Sequence, residues 1–287
     1  MKQILVISGK GGTGKTFFTG CLAVSLPNKV IVDCDVDAAN LHLILHPKIE
    51  QSFEFIGGKI AFIDEEKCTT CGACKEVCQF SAITEDFQID EFSCEGCTIC
   101  SYVCPTSAVI IKDKISGSYF ISNTDYGKMV HARLNIAQEN SGKLVTKLRE
   151  IAKEIAEMNG ADFIIIDGPP GVGCPVMASM TGVDLVLTIT EPTVSGFHDL
   201  KRVIDLAKHF KVEMKVIINK YDLNPQMSKH IAYELEKLNI KMIGMIPFSE
   251  EILASIKAGI PFLKFSKSKL SKNIEKLIYK IVDSLQL

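Results

Sequence analysis

Residues 9 to 16 read GKGGTGKT, between the unbroken apolar run QILVISG and the mostly apolar KTFFTGCLAVSL. The stretch satisfies G-x-x-x-x-G-K-[ST] in the context that motif needs, a buried strand before it and a helix after it. That context restricts the chain to folds in which strands and helices alternate. Gly9, Gly11, Gly12 and Gly14, with Thr13 among them, let backbone N–H groups approach and surround phosphates at a helix N-terminus. Lys15 sets a charge against β- and γ-oxygens, and Thr16 offers its hydroxyl to Mg²⁺.

The rest of the chain continues the alternation. KVIVDCD, FIIIDG, DLVLTIT and KVIINK are short, β-branched and apolar, and helical patterns separate them. Such segments predict an α/β fold with a doubly wound, mainly parallel sheet. Residues 60 to 113 break the rhythm, with ten acids against three lysines and eight of the eleven cysteines. They are expected to form an inserted small α+β domain, leaving 1–59 and 114–287 as the two parts of the α/β domain.

Bulk properties exclude several classes. The 287 residues are 47% hydrophobic, enough for a sizeable core, and the formal charge is −2, so a nucleic-acid partner held by bulk positive charge is not expected. No uncharged apolar run approaches the roughly 20 residues that cross a bilayer. Residues 1 to 7 already read as a strand, so no signal peptide is expected to precede the fold. Grouped thiols in such a chain point to metal ligands in a reducing compartment, and the expected location is the cytoplasm.

The pattern C-x₂-C-x₂-C-x₃-C occurs twice, at Cys68, Cys71, Cys74 and Cys78 and again at Cys94, Cys97, Cys100 and Cys104, with a period of 26 residues. Each run places thiolates around a cubane while its fourth cysteine serves the other cluster. Cluster one would take Cys68, Cys71, Cys74 and Cys104, and cluster two Cys94, Cys97, Cys100 and Cys78. The segment resembles the bacterial two-cluster ferredoxins, with one departure, Gln79 where proline follows the fourth cysteine; Pro105 keeps the pattern. Zinc and disulfides are the alternatives. Zinc favours separated C-x-x-C pairs, and apo protein should lose the structure of a segment whose core the clusters supply.

Lys10, just after the first glycine, marks the deviant phosphate loop of the MinD/ParA ATPases, which the chain resembles over nearly all its non-cysteine portion. The resemblance implies ATP, Mg²⁺ and a homodimer across the nucleotide, with Lys10 reaching the partner's phosphates. In VDCDVDAAN it implies that Asp35 orients the attacking water, with Asp33 and Asp37 as nearby Mg²⁺ or water partners. Asp37 can alternatively be read as a helix N-cap. In FIIIDGPPG it implies that Asp167 holds Mg²⁺ through water and that Gly168 lies near the γ-phosphate. Thr16, Asp35 and Asp167 are thus the Mg²⁺ set, and Lys10, Lys15, Asp35 and Asp33 the catalytic one. Asn219 and Pro247 are the implied base contacts. NKYD (219–222) also satisfies the guanine motif N-K-x-D, and ATP is preferred on the family resemblance alone.

Cys21 and Cys34 read as small core residues. Cys174 lies seven residues after Asp167, the offset of a cluster-ligating cysteine in the distantly similar nitrogenase iron protein. A bridging site across a dimer is one reading, and a buried or strain-relieving residue is the stronger one, because no second cysteine occurs between Ile115 and Gly160. His42 and His46 lack a third ligand nearby. ENSGKLVTKLREIAKEIAEM reads as a Gly-containing turn and an amphipathic surface helix. The last helix carries Ile274, Leu277, Ile278, Ile281, Val282 and Leu285 on one stripe; packing on the sheet is preferred over membrane binding.

These readings combine into an ATP-dependent iron–sulfur protein in which nucleotide state controls electron transfer to or from a redox or metalloprotein partner. Two alternatives remain. One is an ATP-dependent carrier of clusters or metal, as in the Mrp-type carriers, whose C-P-x-C pair is missing here. The other is a MinD/ParA-like positioning ATPase with a redox sensor.

Overall fold

The computed structural model describes residues 1–135 and 141–285. In chain order the strands are β1 (Lys2–Ser8), β2 (Lys29–Asp33), β3 (Lys48–Ile63), β4 (Val109–Thr124), β5 (Gly127–Leu134), β6 (Phe163–Pro170), β7 (Leu185–Thr190), β8 (Glu213–Asn219) and β9 (Lys241–Ile246). The helices are α1 (Lys15–Ser25), α2 (His42–Leu45), α3 (Ala73–Glu76), α4 (Ile99–Tyr102), α5 (Ser141–Met158), α6 (Cys174–Met180), α7 (Val194–Phe210), α8 (Pro225–Lys237), α9 (Glu250–Lys257), α10 (Phe262–Phe265) and α11 (Lys269–Asp283). The chain divides into two compact units, one of residues 1–52, 119–133 and 141–287, the other of 53–118 and 134–140.

The first unit is built on the sheet, whose order is β3-β4-β5-β2-β6-β1-β7-β8-β9. β1 lies between β6 and β7, and from β5 across to β9 neighbouring strands pair in parallel. The winding direction reverses around β1: β2 and β6 lie on one side, and β7, β8 and β9 follow on the other. Ligands of such sheets bind beyond the carboxyl ends of the strands at this reversal, which is where β1 runs into the glycine loop. β4 and β5 are joined by the two-residue turn Asp125-Tyr126, which forces an antiparallel pair and makes the β3–β5 edge the exception to the parallel sheet.

Apolar runs become doubly covered strands, as in Ile4 to Ile7 and Phe163 to Ile166, all buried. One cluster joins α1 (Phe17, Phe18, Leu22) to β1, β6 and β7 and to Phe262 of α10, whose ring meets Phe17 edge-on at 5.7 Å. The same cluster takes in Ile274, Leu277, Ile278, Ile281 and Leu285, with Val282 packed partly against it. The last helix therefore spends its apolar stripe on the core. No described helix is long and apolar enough to cross a membrane.

In the second unit, the later part of β3 and the earlier part of β4 accompany α3, α4 and an isolated antiparallel bridge between Ile83 and Ile89. The unit is longer than residues 60–113, because its strand segments begin at Phe53 and end at Ser118. Its small core combines Ala61, Ile63, Cys74, Ile83 and Val109, with Cys68, Cys78, Cys94, Cys100 and Cys104 packed against them. Residues 139 and 140, at the start of the turn expected before α5, lie outside the described residues.

Candidate functional site

The glycine loop is shaped by contacts at its two ends. A Cβ at Gly9 would lie 2.4 Å from Cβ of Asp199 on α7. Gly14 has φ of 99°, and a Cβ there would meet Nδ2 of Asn219 at 2.5 Å. Asn219 Nδ2 donates to the Thr13 carbonyl at 2.8 Å, and Lys220 Nζ approaches the Gly12 carbonyl at 3.4 Å. Asn219, expected to touch a base, thus uses its amide to hold the loop. Thr13 is buried, and its hydroxyl has no hydrogen-bond partner among the described residues.

Behind the loop, β2 and β6 bring three acids toward α1. Asp33 and Asp167 are directly paired across the sheet, and both are buried. Lys15 Nζ lies 3.3 Å from Asp35 Oδ2, with both side chains nearly inaccessible. Thr16 Oγ1 donates to Asp167 Oδ2 at 2.8 Å, and Thr19 Oγ1 contacts Asp167 Oδ1 at 2.9 Å. Asp33 accepts the backbone N–H groups of Asp35 and Leu41, both at 3.2 Å.

Burial pushes the carboxyl of Asp33 well above the ordinary carboxylate range, and facing Asp167 pushes it further. Burial likewise raises Asp167, against the pull of Lys15 and the two threonine hydroxyls. It raises Asp35 too, against Lys15. Three buried acids thus share one ammonium, an imbalance that a divalent cation would relieve. Thr16, Asp35 and Asp167 fit Mg²⁺ in this respect.

Other expected residues fall differently. Gly168 is buried on β6, where a Cβ would press on Ile7 at 2.6 Å. Lys10 forms an ion pair in cis, Nζ to Glu191 Oε2 at 3.3 Å, and lies 3.4 Å from Thr193 Oγ1. Asp37 is exposed in a turn and caps no helix, because α2 begins only at His42. Pro247 follows β9, and the next residue, Phe248, donates its N–H to Asp222 Oδ1 at 2.7 Å. The acid of the N-K-x-D match therefore anchors that loop.

Cys174 overturns the buried reading: it is exposed and opens α6. Cys21 and Cys34 are buried, and burial drives both thiols far up. His46 Nε2 contacts the Gly259 carbonyl at 2.7 Å. Among the described residues, no three His, Cys, Asp or Glu side chains converge on a single metal ion.

Within the second unit, the 26-residue repeat extends to the backbone. Positive φ recurs at Thr70 and Gly96, Gly72 and Thr98, and Ser81 and Ser107. Helices α3 and α4 occupy matching positions. The Cys68 and Cys94 N–H groups donate to Asp64 and Asp90 carbonyls, each at 3.0 Å. The Ala82 N–H points at Cys78 Sγ at 3.4 Å, and the Ala108 N–H at Cys104 Sγ at 3.2 Å.

The thiols sort across the two motifs. Cys78 lines one cavity together with Cys94, Cys97 and Cys100. Burial raises the Cys74 thiol, and the nearby Cys104 and Cys68 add to the effect. Burial also raises Cys100, with Cys94 and Cys97 adding. Cys78 thus stands among the first three cysteines of the second run, and Cys104 near Cys68 and Cys74 of the first.

Three functional candidates escaped the sequence reading. Thr19 had a weak signal, one helical turn after Thr16 on the same face. Glu191 and Arg149 had none. Arg149 of α5 donates to the carbonyls of Ala178 (2.9 Å) and Thr181 (2.6 Å) at the end of α6, and to Gln3 Oε1 (2.8 Å).

The family model of the CobQ/CobB/MinD/ParA nucleotide binding domain matches residues 4–262. An uncharacterized protein of Methanocaldococcus jannaschii is 37% identical over 282 residues, covering 97% of this chain and 96% of that one. The septum site-determining protein MinD of Thermotoga maritima is 26% identical over 295 residues, 97% of this chain and 87% of the other. Among solved structures, Pyrococcus horikoshii MinD complexed with Mg-ADP superposes with a TM-score of 0.62 at 19% identity, covering 99% of this chain and 97% of that chain. That likeness concerns the fold.

Proposed function

Because the chain belongs to the CobQ/CobB/MinD/ParA nucleotide-binding family, we propose that it is an ATPase whose nucleotide state gates electron transfer through two [4Fe-4S] clusters to or from a partner protein. The observation that carries the proposal is the cross-sorting of the thiols, with Cys78 beside Cys94, Cys97 and Cys100, and Cys104 beside Cys74 and Cys68. A zinc ribbon has no use for an exchange of fourth ligands between two runs; a pair of cubanes does.

Cys68, Cys71, Cys74 and Cys104 would hold one cluster, and Cys94, Cys97, Cys100 and Cys78 the other. The N–H groups aimed at Cys78 Sγ and Cys104 Sγ would hold these two sulfurs in position as ligands. When bound, the clusters supply one-electron chemistry.

Lys15 and the loop N–H groups would bind ATP phosphates. Thr16, Asp35 and Asp167 would hold Mg²⁺ directly or through water, and Asp35, with Asp33 behind it, would orient the attacking water. ATP is preferred over GTP on the family alone. Asn219 would act by shaping the loop, with Pro247 beside the base. A homodimer across the nucleotide, completed by Lys10, supplies the two states that gating requires.

Anaerobically reconstituted protein should contain about eight irons per chain and give the electron paramagnetic resonance signal of reduced cubanes. A redox titration with and without MgATP should shift the potential by about 40–130 mV, the equivalent of a coupling of ~1–3 kcal/mol. Identical potentials would sink the gating, and absence of iron after reconstitution would sink the clusters.

A further inference from the structure

We propose that Glu191 is a positioning residue that holds Lys10 away from phosphate in the isolated subunit and releases it when a second subunit closes on the nucleotide. The inference rests on the dimer of the proposed function and adds the group that controls its formation. Glu191 follows β7, and its side chain is only 14% exposed. One carboxylate oxygen pairs with Lys10 at 3.3 Å, and the other is bonded to Lys220.

Both lysines belong to the phosphate loop's surroundings. Lys10 is in the loop itself, its carbonyl held by Ser8 Oγ at 2.6 Å, and Lys220 reaches the Gly12 carbonyl. Thr193 adds a second hold on Lys10 at 3.4 Å, and its hydroxyl also caps α7 by accepting the Gly196 N–H at 2.9 Å. A single largely buried carboxylate thus pairs with two ammonium groups at the place where a nucleotide's phosphates would need them.

Phosphate and Glu191 are both anionic, so they compete for the same cations. Lys10 can serve a partner's nucleotide only after leaving Glu191. The energy of this pair is therefore subtracted from the energy of dimer closure. Lys220 keeps the carboxylate in place after Lys10 leaves, so the hold re-forms when the dimer opens. Such a hold suppresses closure until nucleotide is bound on both sides.

The test is the MgATP-dependent dimer affinity of the full, cluster-loaded chain, measured by sedimentation velocity, for wild type, Glu191→Gln and Glu191→Asp. Glu191→Gln should tighten the dimer about 3- to 10-fold, the range for losing one partly buried ion pair that competes with association. Glu191→Asp keeps the charge and should stay close to wild type. Lys10→Ala should abolish the gain, so that Lys10→Ala and Lys10→Ala/Glu191→Gln behave alike. Glu191→Ala replaces Glu191→Gln if the latter does not fold. Wild type that dimerises with ATP while Glu191→Gln is unchanged or weaker overturns the hold alone. Wild type that stays monomeric with MgATP overturns the dimer, and the hold with it.

Discussion

Thr19 Oγ1 lies 2.9 Å from Asp167 Oδ1 while Thr16 Oγ1 takes Oδ2 at 2.8 Å, so two hydroxyls one helical turn apart clamp a fully buried carboxylate. Thr19 is itself buried, and its hydroxyl also lies 3.1 Å from the Lys15 carbonyl. The clamp ties the first turn of α1 to the end of β6.

Thr19→Val keeps the shape and removes the donor. It should cost about 1–3 kcal/mol in urea unfolding, the usual cost of stripping a partner from a buried charged group. It should also raise the Mg²⁺ concentration needed for half-maximal ATP hydrolysis. Thr19→Ser should recover most of both. Unchanged Mg²⁺ dependence in Thr19→Val would remove this residue from the site.

Asp167→Asn should stabilise the nucleotide-free protein at neutral pH while abolishing Mg²⁺-dependent hydrolysis. The folded-state pKa of Asp167 is raised from 3.8, chiefly by burial. Between 3.8 and that raised value the folded chain holds a proton that the unfolded chain has lost, so wild-type stability falls as pH rises through this window. The amide removes the buried charge and can still bond both threonines. The difference in melting temperature should accordingly be small near pH 4 and reach its full size once the pH exceeds the raised pKa. A gap that narrows with rising pH would contradict the assignment.

Iron removal should act on one unit only. The core of residues 53–118 rests on a few apolar side chains and on the cysteines packed against them. Anaerobic chelation should expose this segment to protease and to rapid amide exchange, while α1 and β6 keep their protection. Equal protection with and without iron would argue that the thiols hold nothing.

Arg149→Ala should destabilise the protein by about 2–4 kcal/mol in chemical denaturation, because the guanidinium bonds two carbonyls at the end of α6 as well as Gln3. α6 begins at Cys174, directly after the segment that starts with Asp167 and Gly168. The same variant should therefore weaken nucleotide binding, read by titration with a fluorescent ATP analogue. A loss of stability with unchanged nucleotide affinity would confine Arg149 to a purely structural part.

The sequence by itself determined the features that depend on local spacing. Glycines with a lysine and a threonine between an apolar strand and a helix specify a phosphate loop, because the backbone must follow that path. The 26-residue repeat likewise carries its own turns: positive φ at Gly72 and Thr98, or Ser81 and Ser107, follows from residues within each half. Where local reading failed, several conformations were compatible with the same few residues. Asp37 could cap a helix in principle, but α2 starts five residues later. Cys174 could be buried in principle, but it is exposed at the start of α6.

Tertiary structure alone decided which side chains meet. The reversal of strand order around β1 sets β2 beside β6, and so Asp33 opposite Asp167. It also carries β7 to the other side of β1, so that Glu191 reaches Lys10 across 181 positions of sequence. No local propensity encodes such a meeting, because many crossover orders satisfy the same pattern of strands and helices. The pairing is settled only when the apolar faces of the whole sheet are buried at once.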